Sequence, residues 1–137
     1  MTVNYLAILI AGVAGWIVGA IWYGVLGKSW LAALGKTKAE IGAKQGTPAF
    51  YVPFVLALVA ALVMAWVLAG LLGHLGAYSV RGGIISGAFC WLGFVVTTIT
   101  VNNAFAGRKP MLTAIDAGHW LAVLVVMGAI VGGMGVR

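Results

Sequence analysis

Four long apolar segments, none of which contains Lys or Arg, set the strongest limit on how this 137-residue chain folds. They lie at about residues 3–26, 50–72, 82–102 and 111–135. An α-helix of about 20 apolar residues is long enough to cross the hydrocarbon core of a bilayer. In lipid, a helix also satisfies its backbone amides and carbonyls within its own segment. We therefore predict an all-α, polytopic membrane protein, in which four transmembrane helices form one compact bundle and a single domain over residues 1–137.

The low content of charged residues excludes a water-soluble bundle. Charged side chains make up 7% of the chain and hydrophobic ones 64%, whereas soluble domains carry about 25% charged residues. Segment 50–72 has no polar stripe, which each helix of a soluble bundle needs. The segments also lack the alternation of apolar and polar residues that is typical of membrane β-barrel strands. The lipid bilayer is therefore the expected partner of most of the surface.

The distribution of Lys and Arg predicts the orientation in the membrane. Six of these residues lie in the first and third connections and two lie on the other side, namely Lys28, Lys36, Lys38, Lys44, Arg108 and Lys109 against Arg81 and Arg137. Cytoplasmic connections carry the excess of Lys and Arg. We therefore predict a multi-pass protein of the bacterial inner membrane, with both termini periplasmic or extracellular. Contact with anionic headgroups then explains the net charge of +6, and no nucleic-acid partner is expected.

The first connection contains signals for further helix. Residues 28–34 continue or restart the first helix, and Gly35 would end it. Thr37 and Glu40 have the spacing of a capping box, which begins a new helix. Residues 38–44 could form a short amphipathic helix on the membrane surface. The alternative is an ordinary basic connector that anionic headgroups hold.

Small residues recur at four-residue intervals in several of the predicted helices. Because lipid tails are themselves apolar, close approach of helix backbones contributes more to association than burial of apolar area. The candidate packing positions are Gly15, Gly19, Ala61, Ala65, Ala69, Gly118 and Ala122. We predict a homo-oligomer, alone or within a larger membrane assembly, with the alanine ladder of the second helix as the contact surface.

One group of polar residues falls within or beside the predicted membrane segments. Asp116 and His119 lie three residues apart on the last helix, and other helices bring Asn102, Thr98 and Tyr23 to the same level. An ionisable side chain at this depth is costly unless it is paired or hydrated. We hypothesise that Asp116 and His119 form a hydrogen-bonded pair in a pocket that opens to the cytoplasm and binds a cation or passes a proton.

A structural role for the same two residues is the alternative. The N-terminal end of a helix stabilises a negative charge, and the long side chains of Arg108 or Lys109 can extend to Asp116. His119 can donate a hydrogen bond to Asn102 and have no further role. The sequence leaves both interpretations open.

Motifs of catalysis and of cofactor binding are missing from the sequence. It contains no Gly-rich phosphate loop, no HExxH metal motif and no serine in a Gly-x-Ser-x-Gly setting. Cys90 is the single cysteine, so a disulfide within the chain is excluded. We expect no enzymatic activity, no cofactor and no metal ion.

Three short motifs give the chain a resemblance to a known family. They are Asn4-Tyr5-Leu6-Ala7 at the start of the first helix, Trp22-Tyr23 with Gly27-Lys28-Ser29-Trp30 at its end, and Asp116-Ala117-Gly118-His119 in the last helix. In these motifs the chain resembles the domain of unknown function 1761 family of small bacterial membrane proteins, over nearly its whole length. The resemblance implies four transmembrane helices and supplies no activity.

Two classes of function are consistent with these features. The first is a non-enzymatic membrane component that packs against itself or within a larger assembly. The alternative is a minimal transporter or channel for a small molecule, a cation or protons, which acts as an oligomer through Asp116 and His119 on an unknown substrate. Small multidrug exporters are similar in size and helix number, but they carry a glutamate in the first helix, where this sequence has no acidic residue.

The predicted orientation can be tested by cysteine labelling in intact cells, in a background without Cys90. A membrane-impermeant maleimide added from outside should label a cysteine placed beside Arg137 and should not label one placed at Lys38. The reverse pattern would overturn the orientation, because the Lys and Arg bias fixes both positions together.

Overall fold

A computed structural model of the protein describes residues 3–135, and within that range it contains helices and no strands. Arg137, which entered the charge count, lies outside the described residues. In chain order the elements are α1 (Tyr5–Leu34), α2 (Lys38–Gly42), α3 (Pro48–Leu75), α4 (Val80–Cys90), a π-helical segment (Trp91–Val95), α5 (Val96–Phe105) and α6 (Pro110–Met134). The π-helical segment joins α4 and α5 into one rod. Among the described residues, four helices, with this rod as one of them, are long and apolar enough to cross a membrane, and the predicted all-α membrane fold is confirmed.

The first helix continues without a break through residues 28–34 to Leu34, which is one of the two arrangements that the sequence predicts. Gly35 ends it in a left-handed conformation with φ of 75°, from which its N–H group bonds the carbonyls of Leu31 and Ala32. In its last turns, Ala33 packs against the start of α6 at Leu112 and Ile115. The continuation is stable because these extra turns bury an apolar face on α6.

The short helix α2 begins where the capping signal predicts and ends earlier than expected, at Gly42. The Thr37 hydroxyl oxygen accepts a hydrogen bond from the Glu40 amide at 3.2 Å, and the hydroxyl itself donates to the Glu40 carboxylate at 3.1 Å. The carboxylate therefore bonds the cap side chain, whereas a full capping box would direct it to the backbone amide of Thr37.

Helix α6 is the centre of the bundle, because α1, α3, α4 and α5 all contact it. The core between α1, α3 and α6 is apolar, and its largest fully buried side chains are Leu72, Val123, Met127 and Val131. The connections between α1 and α3 and between α5 and α6 lie at one end of the bundle. We call it the basic end, because it carries Lys28, Lys36, Lys38, Lys44, Arg108 and Lys109.

The contact between α4 and α6 is made directly by backbone atoms. A Cβ atom added to Gly83 would overlap the carbonyl group of Gly128, and one added to Gly128 would overlap that of Gly83. One turn along, a Cβ atom on Gly87 would lie 2.5 Å from the carbonyl oxygen of Leu124. The absence of side chains at these positions is what allows α4 to lie against α6.

The alanine ladder of α3 lies inside the protein, so our prediction that it joins two copies of the chain is wrong. Ala61, Ala65 and Ala69 are 2%, 0% and 8% exposed, respectively. They belong to the same buried cluster as Ala11 of α1 and Met127 of α6. Their small size is used within one chain to bring α3 close to its neighbours. Self-association stays a prediction, without this surface.

The other predicted packing residues lie mainly against α1 or α6. A Cβ atom on Gly15 would lie 2.5 Å from the Met127 side chain. One on Gly118 would lie 2.9 Å from the Trp22 ring. Ala122 is half-buried on α6.

Replacing Gly83 with Ala tests the backbone contact between α4 and α6. The added methyl group has no space, so we expect the free energy of unfolding to fall by about 1–3 kcal/mol, the usual cost of overpacking a close contact. Thermal unfolding in detergent or in nanodiscs measures this loss.

Gly70→Ala is the matched control, because Gly70 lies inside α3 with open space where its Cβ would be. That variant should lose no stability, since alanine is the better helix former. Equal melting temperatures for the two variants would show that α4 and α6 do not meet at Gly83.

Candidate functional site

A polar pocket of about 420 Å³ lies at the basic end of the bundle. Helices α1 and α5 form its walls and α6 forms its floor. The residues that line it are Tyr23, Trp30, Ile99, Asn102, Asn103, Asp116 and Trp120. It combines one carboxylate, two carboxamides and three large aromatic rings, and these side chains come from three separate helices.

Asp116 is the acidic group of this pocket. It follows Pro110, the first residue of α6, by six positions, which places it about 9 Å along the helix at 1.5 Å per residue. The Tyr23 hydroxyl of α1 donates a hydrogen bond of 2.6 Å to one oxygen of its carboxylate. The bond therefore ties α1 to α6 and fixes the direction of the carboxylate.

Two tryptophans hold the turn of α6 that carries Asp116. The Trp22 indole N–H donates to the carbonyl of Ile115 at 3.0 Å. From the opposite wall, the Trp91 indole N–H donates to the carbonyl of Ala117 at 2.7 Å. The residues just before and just after Asp116 are therefore each fixed by a neighbouring helix. Hydrogen bonds of this kind each contribute about 1 kcal/mol net, and here they also make the site rigid.

His119 does not form the predicted hydrogen bond with Asp116. A separation of three residues turns a helix by about 300°, so the two side chains diverge by about 60°. The Tyr23 ring occupies the space beside His119, with ring centroids 4.9 Å apart, while its hydroxyl takes the carboxylate. His119 is 7% exposed, and its Nδ1 atom has no hydrogen-bond partner among the described residues.

His119 instead supports the aromatic walls of the pocket. Its ring lies 4.9 Å from that of Tyr23 and 4.6 Å from that of Trp120, measured between centroids. It fits there because Gly19 has no side chain: a Cβ atom on Gly19 would lie 2.8 Å from Nε2 of His119. The predicted packing residue Gly19 therefore acts on the pocket through His119.

The polar residues of α5 differ in whether they line the pocket. Asn102 lines the pocket as predicted. Thr98 does not line it, because its hydroxyl donates to the carbonyl of Phe94 at 2.6 Å, within the same rod, and its side chain is exposed. Asn103 donates from Nδ2 to the hydroxyl oxygen of Thr113 at 3.1 Å and so joins α5 to α6.

The π-helical segment determines which residues of α5 face the pocket. In this segment the Val96 N–H bonds the carbonyl of Trp91, five residues earlier. A π-turn inserts one extra residue into a helix, which rotates everything after it by about 100° relative to an uninterrupted α-helix. Ile99 and Asn102 therefore face α1 and α6 because of this insertion.

Trp30 and Trp120 line the pocket, although neither was among the predicted site residues. Trp30 follows Tyr23 by seven residues, two helical turns, and Trp120 follows Asp116 by four. Both spacings place two residues on one helix face. Trp30 lies beyond the apolar segment that ends at about residue 26, and Trp120 lies next to the predicted site residue His119.

Comparison with known proteins finds a matching family but no known activity. The sequence profile of the family described as "Protein of unknown function (DUF1761)" matches residues 6–132. No curated protein and no solved structure matches the chain. Among the described residues, no three His, Cys, Asp or Glu side chains come together in a way that could hold a metal ion.

Deleting Gly93 tests the role of the π-helical segment. The deletion removes the extra residue, so α5 should rotate by about 100° and carry Asn103 away from Thr113. In a background without Cys90, cysteines at positions 103 and 113 should be joined by a short bifunctional thiol reagent, and the deletion should abolish this cross-link.

Gly93→Ala is the control, because it keeps the chain length and a Cβ atom there meets nothing within 4 Å. Cross-linking should survive in that variant. Efficient cross-linking in the deletion variant would mean that the π-helical segment does not set the register of α5.

Proposed function

Because this chain belongs to the DUF1761 family, whose description assigns no activity, we propose its function from the pocket: a non-enzymatic membrane protein that binds a small cationic solute. The observation that carries this proposal is the Asp116 carboxylate, which is half-buried in a pocket large enough for a small molecule. Tyr23 donates one hydrogen bond to it and carries no positive charge. A carboxylate at this depth gains most from a cation.

The composition of the pocket favours a cation over an anion. Its lining contains no Lys, Arg or His, so an anionic ligand would meet Asp116 without a compensating positive charge. The basic residues at this end of the bundle lie outside the lining. Their effect on a bound cation is limited by screening, since the Debye length is about 8 Å at physiological salt.

Binding at one membrane face fits the geometry of a single chain better than conduction through it. Beyond His119, the core between α1, α3 and α6 consists of apolar side chains, with Val123, Met127, Val131 and Leu72 fully buried. A hydrated cation has no polar partners along that part of the bundle. Transport would therefore require more than one chain or a different conformation.

A non-enzymatic role is supported by the chemistry of the lining. It contains no serine, threonine or cysteine. Its one hydroxyl belongs to Tyr23 and already donates to Asp116. Asp116 is the one carboxylate of the lining, and no histidine or second carboxylate lies beside it there to act as a general base or acid.

Asp116→Asn tests the proposal, because it removes the charge and keeps an oxygen that can accept the Tyr23 hydrogen bond. Choline, ethanolamine and acetate are the probes, and calorimetry on protein in nanodiscs measures their binding. We expect at least one of the two cations to bind the wild-type protein, and to bind Asp116→Asn about tenfold more weakly because the attraction between the two charges is lost; tenfold corresponds to about 1.4 kcal/mol.

Glu40→Gln is the matched control, because Glu40 is the other carboxylate of the chain and lies exposed on α2. That variant should bind as the wild type does. The proposal is wrong if neither cation binds, if acetate binds better than both, or if Asp116→Asn leaves cation affinity unchanged.

A further inference from the structure

We propose that the pocket selects a methylated ammonium group, as found in choline or in a lipid headgroup that contains choline, over an inorganic cation or a primary amine. This inference rests on the proposed cation binding and names the class of cation. It is drawn from the aromatic side chains of the lining, which a simple counter-ion for Asp116 would not need.

The volume and the oxygen atoms of the pocket exclude a good fit to an inorganic ion. Calcium takes six to eight oxygen ligands and magnesium takes six. The pocket offers one carboxylate and two carboxamides in about 420 Å³, and one carboxylate oxygen already accepts from Tyr23. A molecule that fills the space and contacts its walls is the better match.

The aromatic rings provide the surface that a methylated ammonium group requires. A cation is attracted to the face of a Trp or Tyr ring within about 6 Å of its centroid. The rings of Tyr23 and Trp30 have centroids 5.8 Å apart and planes at 71°, so they form a corner. Trp120 adds a third ring from α6. We call Tyr23, Trp30, Trp120 and Asp116 the aromatic cage.

The hydrogen bond between Tyr23 and Asp116 connects the charged group of the aromatic cage to one of its rings. When a phenol donates to a carboxylate, its ring becomes richer in electrons and attracts a cation more strongly. His119 packs beside the Tyr23 ring and also against Trp120. The histidine therefore acts as a positioning residue that holds two rings of the cage in place.

A primary ammonium group fits this pocket less well. It carries three N–H donors that each need an acceptor. The candidate acceptors are the free oxygen of Asp116 and the carboxamide oxygens of Asn102 and Asn103, on two different helices. A quaternary ammonium group has no N–H donor, so it needs only the charge of Asp116 and the faces of the rings.

The test compares three probes of one skeleton on the wild-type protein, in nanodiscs of phosphatidylethanolamine and phosphatidylglycerol. These are choline, ethanolamine and 3,3-dimethylbutan-1-ol, the neutral analogue of choline. We expect choline to bind about tenfold more tightly than ethanolamine, and the neutral analogue to bind more weakly than choline. Ethanolamine that binds as tightly as choline would overturn this inference and leave the proposed function standing. Loss of all cation binding would overturn both.

Variants of Trp30 separate the contribution of its ring to cation binding from that of the Asp116 charge. Trp30→Leu should lower the affinity for choline about tenfold, because a cation–π contact contributes up to about 2 kcal/mol. The affinity for ethanolamine should change by less than about threefold. Trp30→Phe keeps a ring and should restore most of the choline affinity. Trp66→Leu is the control, since Trp66 is exposed on α3, outside the pocket. If Trp30→Leu does not fold, the order in which the wild-type protein binds the three probes still tests the inference.

A change of lipid identifies the source of the ammonium group. Phosphatidylcholine in the nanodisc should compete with soluble choline if the cage takes a lipid headgroup, and should leave choline binding unchanged if it takes a free solute. Both results support the inference. Absence of choline binding in phosphatidylethanolamine and phosphatidylglycerol, together with no thermal stabilisation by phosphatidylcholine, would overturn it.

Discussion

Close packing of the other helices against α6 is the requirement on which the rest of the structure depends. Lipid tails are as apolar as leucine, so burial of apolar area does not hold a membrane bundle together. Dispersion contacts do so, and they require short distances between atoms. Gly83 and Gly128 meet at their backbones, and Ala65 is fully buried in the core. Small residues therefore let the helices approach one another, and larger apolar side chains such as Met127 fill the core between them.

This arrangement determines where a charge is tolerated. With α6 at the centre, a side chain near its start is reached from α1 and from α5 at once. Asp116 takes its hydrogen bond from Tyr23, and indole groups from both walls hold the residues beside it. The desolvation cost of the carboxylate is thus reduced by direct bonding. The carboxylate also lines the polar pocket at the basic end.

The site was only partly predictable. The level of Asp116 in the membrane and its neighbourhood with Tyr23 and Asn102 follow from helix lengths and chain order. The hydrogen-bond partner of Asp116 does not follow, because the choice between Tyr23 and His119 depends on how α1 is rotated against α6. Thr98 was misplaced because hydroxyl groups in a membrane helix readily bond a carbonyl of the preceding turn.

The sequence by itself determined that lipid surrounds the helices, how many helices span the bilayer, and which end of the bundle is polar. These depend on composition and on the order of segments, and no particular contact alters them. Tertiary structure decided which small residues lie inside, whether α1 continues or restarts after residue 26, and which face α5 presents after the π-helical segment. Each of these is a choice between faces or registers with similar local energies. Contacts between distant parts of the chain, such as Ala33 with Leu112 and Trp91 with Ala117, make that choice.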